Sequence, residues 1–171
     1  MSPRKVVGLD LSMTGTGLAA ILDHADDGYC VTEVIRPRAS GDLRLAEIVD
    51  RVLRHAHNAD LVIIEGFLNV SPTAGLTGMV HGAVRAALIG AVCKYATLPP
   101  ASLKKFATGK GNAKKADMAV AAFKRGGREF GDDNQCDAWW LWVAGNQYLG
   151  HPVFSMPADQ LAALGKIQLE N

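Results

Sequence analysis

Apolar and polar positions change rhythm several times along the chain. Val6-Val7-Gly8-Leu9 is a short apolar run that stops at Asp10; Gly17 to Leu22 is a second run and Tyr29 to Ile35 a third. Between the last two, Asp23-His24-Ala25-Asp26-Asp27-Gly28 is rich in turn residues and ends in Asp-Gly, a hairpin signature. Three antiparallel strands in a meander are therefore predicted. From Asp42 to His57 the spacing turns helical: Leu45, Ile48, Val49, Val52, Leu53 and Ala56 recur at three- and four-residue steps, opposite Arg44, Glu47, Asp50, Arg51 and Arg54. That is an amphipathic helix. Leu61-Val62-Ile63-Ile64 is continuously apolar, as in a strand buried on both faces, and it ends at Glu65-Gly66.

The second half predicts mostly helix. Gly75 to Tyr95 is small-residue-rich; Gly78, Gly82 and Gly90 weaken the helix but permit close packing. A short edge strand is expected at Thr97 to Pro100. Helices are expected at Lys114 to Arg125 and Asp133 to Leu149, and a short last one near Pro157. Strands first, then alternating helices and strands, describe an α/β domain: a mixed five-stranded sheet with helices on both faces. The expected domain covers residues 1–150, with 151–171 as a C-terminal tail.

Composition narrows the classes. At 171 residues and 49% hydrophobic, one packed domain is expected and bulk disorder is excluded. Cys30, Cys93 and Cys136 lack CxxC spacing, which argues against a disulfide framework or a thiolate zinc site. The most apolar stretch, Gly82 to Leu98, contains Arg85 and Lys94, so no membrane span is expected. Asp10 interrupts the N-terminal apolar run too early for a secretion signal; a cytoplasmic location is expected.

The net charge of +1 conceals an asymmetry. Lys104, Lys105, Lys110, Lys114, Lys115, Lys124, Arg125 and Arg128 face a single acid, Asp117, so this segment carries +7 and the remainder −6. A basic segment beside acidic positions suits a polyanion. Thr108-Gly109-Lys110-Gly111-Asn112-Ala113 links the two lysine pairs, and its backbone amides could approach phosphates. It lacks the GxxxxGK[ST] spacing of a Walker loop.

The acids stand at element ends. Asp10 closes the first strand and Glu65 the buried fourth one; Asp132, Asp133 and Asp137 lie at the start of a helix. Parallel, adjacent first and fourth strands would bring Asp10 and Glu65 to one sheet edge, and residues 133 and 137 share a helix face. A turn or cap role accounts for Asp10, Asp132 or Asp133 singly. Glu65 and Asp137, each against apolar neighbours, need a partner. Converging carboxylates repel unless a divalent cation sits among them. All-oxygen ligation points to Mg²⁺, with Mn²⁺ as a substitute, and two such ions can cleave a phosphodiester.

These residues resemble the RuvC family of Holliday-junction resolvases in the RNase H-like superfamily. Gly8-Leu9-Asp10-Leu11-Ser12 with Thr14-Gly15-Thr16-Gly17 resembles the family's opening strand motif. Ile64-Glu65 with Phe67-Leu68 resembles its second acidic motif. Leu103-Lys104-Lys105 through Thr108 to Lys115 resembles its lysine and glycine loop, and Asp137-Ala138 its terminal acidic motif. The alanine- and glycine-rich, compact form looks like a phage-borne member, which would act in the host-cell cytoplasm.

The resemblance implies an RNase H-like fold and a homodimer that binds branched DNA, specifically a four-way junction, and nicks it in pairs with two Mg²⁺ ions. Asp10, Glu65 and Asp137 would be metal ligands. Lys104 and Lys115 would contact the phosphate, Lys115 as part of the catalytic set, with Lys105, Lys110 and Lys114 adding DNA contacts. The family's acid three residues before the last Asp is here Asn134; Asp133 is taken as the fourth catalytic and metal-ligating acid. Phe67 or Leu68 would stack on DNA, although Phe67 fits a core role equally well. Trp139, Trp140 and Trp142 are expected to pack in the core or a dimer contact. Two alternatives stay open: an RNase H-like nuclease acting on flaps, forks or hybrids, and a junction-binding module whose metal site decayed at Asn134.

Overall fold

The computed structural model describes residues 4–21, 29–67 and 74–170. The expected turn at Asp23–Gly28 lies outside the described residues. The elements are β1 (Val6–Asp10), β2 (Thr16–Ile21), β3 (Cys30–Ile35), α1 (Leu43–Ala56), β4 (Leu61–Glu65), α2 (Ala74–Gly90), β5 (Tyr95–Leu98), α3 (Pro100–Thr108), α4 (Lys115–Gly126), α5 (Asp133–Tyr148), α6 (Ala158–Leu161), a 3₁₀ turn (Ala162–Lys166) and β6 (Gln168–Leu169). One sheet runs in the order β3-β2-β1-β4-β5-β6. β1, β4 and β5 are mutually parallel; β2, β3 and β6 run antiparallel to their neighbours.

Strand alternation sorts the core into two layers. Val7, Leu9, Val62 and Ile64 face one way and pack with Ile48 and Val52 of α1 and Val80, Val84 and Leu88 of α2. Val6, Leu61, Ile63 and Leu98 face the other way, toward α3, α4 and α5. The expected helices on both faces are present.

α5 is buried almost all round, with every residue from Cys136 to Asn146 covered. It lies between the sheet and an outer layer that includes Phe106 of α3, Phe130 and Phe154. Trp139 and Trp140 meet those rings at centroid distances between 5.7 and 6.1 Å, and Trp140 Nε1 donates to the Met118 carbonyl. All three tryptophans are core residues. The sheet side of α5 sits so close that only glycine fits beneath it. A Cβ on Gly8 would lie 2.2 Å from the Ala138 carbonyl oxygen, and one on Gly17 2.0 Å from that of Asn134.

Two elements depart from the expectation. The sheet has six strands, not five, because β6 from the tail pairs with β5 through Ala96–Leu169 and Thr97–Gln168. The expected edge strand is thus covered, and the tail is folded onto the sheet, with Glu170 accepting from Thr97 Oγ1 and pairing with Arg85. Second, the lysine pair 104–105 lies on a helix, α3, for which the pattern gave no expectation. Pro100 starts it, Leu103, Phe106 and Ala107 bury one side, and Gly109 ends it at φ +85°, the left-handed turn that glycine makes without strain. No helix among the described residues is long and apolar enough to cross a membrane.

Candidate active site

Three carboxylates reach one edge of the sheet by separate routes. β1 and β4 run parallel with Leu9 opposite Ile64, so Asp10 and Glu65 emerge side by side one residue later. Both share the parity of the positions that face α5, Gly8 in β1 and Ile63 in β4. Asp137, one turn inside α5, is brought down to them because Gly8 and Gly17 let that helix rest on the sheet backbone. Asp137 is 4% exposed, an unusual depth for an acid.

The charges act on one another. Burial, then Asp137, pushes the Asp10 carboxyl up to about 7, against the opposing pull of Lys115. Burial, then Asp10 and Asp137, pushes Glu65 up to about 8, against Lys115 and Lys104. Burial also raises Asp137, although a hydrogen bond from Lys115 Nζ opposes the rise. Burial works against the Lys115 ammonium, yet the hydrogen bond and charge of Asp137, with the charges of Asp10 and Glu65, leave its pKa above the ordinary value. Lys115 opens α4 and stays half exposed while its partner is buried.

The remaining expected residues divide. Lys104 is half-buried, and its charge acts on Glu65 and Asp137. Asp133 is exposed at the first position of α5, and its charge raises Asp137. Asp132 caps α5 by accepting from the Asn134 amide and pairs with Arg36 at 2.7 Å. Lys105, Lys110 and Lys114 are exposed. Lys110 borders a separate cavity of about 360 Å³ with Lys124, Arg125 and Gln160. The glycine link spends amides internally: Gly109, Lys110, Ala113 and Lys114 donate to Lys105, Thr108, Lys110 and Asp117. Those four amides are therefore not free for phosphate. Phe67 is half-buried against His81; Leu68 lies outside the described residues.

Asp10 and Glu65 line a cleft of about 260 Å³ with Leu11, Gly66, Phe67, Thr77, His81 and Pro100. Sequence reasoning passed over His81, because one histidine within a small-residue helix carries no motif. As a donor set, three neighbouring carboxylates fit a hard divalent cation. Among the described residues no three such side chains converge closely enough to hold one ion; the Lys115 ammonium is the cation in contact with Asp137.

No family model and no curated protein sequence matches the chain. Solved structures do. The chain is similar to Thermus thermophilus RuvC, with a TM-score of 0.71 and 20% identity over 97% of this chain and 99% of that one. The chain has the RuvC fold. A second structure, T. thermophilus RuvC in complex with a Holliday junction substrate, superposes with a TM-score of 0.68 and 22% identity over 98% and 99% of the two chains. Fowlpox virus resolvase bound to Holliday junction DNA gives a TM-score of 0.52 at 14% identity over 85% and 98%. The RuvC fold accounts for the sheet order and for the nearly full length of the match, tail included.

Proposed function

We propose that the protein is a structure-selective endodeoxyribonuclease that nicks four-way DNA junctions with the help of Mg²⁺. The observation that carries this reading is the mutual electrostatic action of Asp10, Glu65 and Asp137 within one buried edge, beside Lys115 and Lys104. The likeness of fold to RuvC and to a poxvirus resolvase, both solved with Holliday junctions, supports the choice of substrate.

Asp10, Glu65 and Asp137 would hold the metal, with Asp133 as a fourth acid from the rim; Mn²⁺ would substitute. When bound, the ions supply positive charge that activates water and steadies the leaving 3′-oxygen. The protein's own part is orientation and charge. Lys115, half exposed over the acids, offers an ammonium to a phosphate oxygen, and Lys104 adds charge from α3. The exposed Lys105, Lys110 and Lys114 extend the basic surface along the DNA backbone.

A homodimer fits the paired nicks. The outer side of α2 presents Leu76, Met79 and Ile89, all exposed, around Gly82 and Ala86, with no charge between them. A self-complementary face of this kind allows close helix contact.

Cleavage of a synthetic four-way junction in Mg²⁺ tests the reading. Asp10→Asn is expected to lower the rate by at least about 10³-fold, the scale of losing a main electrostatic element, while junction binding in Ca²⁺ survives. Undiminished cleavage by Asp10→Asn contradicts it. The second reading, a module that binds junctions without cutting, is favoured by Asn134 in the position of an acid; it predicts a gel shift with no nicking in Mg²⁺ or Mn²⁺.

A further inference from the structure

A second concavity stands apart from the acids. It is the cavity of about 360 Å³ bordered by the end of α3, by α4 and by Gln160 of α6, and it shares no lining residue with the acidic cleft. α4 starts beside the acids with Lys115; Lys124 lies roughly 13 Å further along the helix axis, at about 1.5 Å per residue. The volume falls within the ordinary range of ligand sites, roughly 300 to 1,000 Å³.

The floor of this cavity is apolar. Ala107 and Ala113 are buried, and Val120 in its lining is 51% exposed. Phe123, one helical step beyond Val120 and 56% exposed, extends the apolar strip along α4. Lys110, Lys124 and Arg125 set positive charge around the floor. Among the described residues none of these cations pairs with a carboxylate. Asp117 is the single acid in the lining, and its Oδ2 already accepts from the Lys114 amide at 2.9 Å.

Gln160 is the unusual member. It is 6% exposed, although glutamine is mostly a surface residue. Its Oε1 accepts from Arg125 Nη2 at 2.8 Å. A guanidinium only donates, so this bond fixes which end of the amide faces Arg125. Nε2 then has no acceptor among the described residues. Nor is it sealed: the sealed side-chain atoms without a partner among those residues are Glu33 Oε1 and Trp142 Nε1. A buried amide with unused N–H groups at a cavity wall calls for an acceptor from outside. Arg125, held by the same amide, keeps its other N–H groups for that acceptor.

These features select an anion carried on an apolar body. A nucleobase finds no aromatic ring in the lining, and inorganic phosphate leaves the apolar floor unused. A duplex backbone would run its phosphates past Asp117, Val120 and Phe123, which offer it no donor. A terminal carboxylate fits Gln160 Nε2 and the Arg125 fork. The apolar side chain next to that carboxylate fits the floor, and acids preceding it face Lys110 and Lys124. The exposed Phe123, beyond the cavity, gives a chain rather than a small molecule something further to cover.

We propose that this cavity docks the C-terminal tail of a partner protein, a tail of acidic residues that ends in an apolar one. Recognition of this kind joins carboxylate capture to an apolar anchor. The partner brings the chain to its place of action through a surface separate from the acidic cleft, and the inference does not rest on what that cleft does.

The test is fluorescence anisotropy of the full chain with a fluorescein-labelled hexapeptide, four aspartates followed by Leu-Phe with a free carboxyl end. Saturable binding by wild type is expected. Amidating the carboxyl end, or replacing Leu-Phe by Ser-Ser, is expected to weaken it about tenfold each. That is the scale of one charged hydrogen bond or one buried apolar side chain. Gln160→Glu keeps the shape and the bond to Arg125 but replaces the unused N–H groups by an oxygen. Val120→Glu sets a like charge on an exposed position of the apolar strip. Each is expected to weaken binding about tenfold or more, with the circular dichroism spectrum kept.

An excess of four-way junction is expected to leave the peptide bound. Displacement by the junction assigns the cavity to DNA and overturns the proposal. Absence of saturable binding, equal binding of the amidated and Ser-Ser peptides with the parent, or full binding by both variants overturns it as well.

Discussion

At the scale of single residues, the acids carry a thermodynamic signature that DNA is not needed to see. Asp10 moves from 3.8 to about 7 and Glu65 from 4.5 to about 8 on folding. Through these two acids the folded chain holds extra protons up to about pH 8, which makes stability fall as pH rises; His81, pushed from 6.5 down to about 4, acts in the opposite direction below about pH 6.5, so the fall is clearest above that value. In EDTA, the melting temperature is expected to drop from about pH 6.5 to pH 8. Asp10→Asn, which removes one titrating acid, is expected to flatten that slope and to melt above wild type at pH 8. A wild-type melting temperature that climbs across this window contradicts the burial of these carboxylates. Asp10, Glu65 and Asp137 were legible in the sequence because each acid interrupts an apolar run, where burial makes an unpaired charge costly. The placing of His81 beside them was not, since it depends on α2 bringing its ring against Phe67, a contact across the fold.

At the scale of elements, the site depends on α5 lying nearly in contact with β1 and β2. Gly8 and Gly17 permit that approach, and the same approach delivers Asp137 to Asp10. Gly8→Ala would press a methyl group into backbone at 2.2 Å, which neither partner can relieve by a rotamer change. A loss of about 3 kcal/mol in urea denaturation is expected, at the upper end for overpacking, together with slower cleavage as Asp137 is displaced. A Gly8→Ala protein as stable as wild type would mean that the helix seats elsewhere. α5 was recognised as a helix, but its near-complete burial was less apparent, because it is covered by the sheet on one side and by Phe106, Phe130 and Phe154 on the other. α3 went unread: nine residues with three buried positions give a weak periodic signal, beside a glycine-rich stretch that draws the eye to loop chemistry. β6 has two residues, too few for any alternation to show; its pairing is set by the exposed edge of β5, which it covers.

At the scale of the whole molecule, the two faces of the sheet serve different ends. The α3–α4–α5 side brings lysines to the acids, and the α1–α2 side turns an uncharged helix face outward. Leu76, Met79 and Ile89 are 46%, 44% and 55% exposed, an apolar stripe that a second copy would cover. Sedimentation at micromolar concentration is expected to give twice the 18.2 kDa chain mass, and Met79→Glu with Ile89→Glu to return it to the monomer while the circular dichroism spectrum is kept. Monomer sedimentation of wild type contradicts the proposed dimer. The direct measurement of the central claim is a crystal soaked in Mn²⁺ and read by anomalous scattering. Strong peaks are expected among Asp10, Glu65 and Asp137, with Lys115 released from Asp137 toward the rim. Peaks confined to other surfaces, with the Lys115–Asp137 pair intact, would contradict the account at its root.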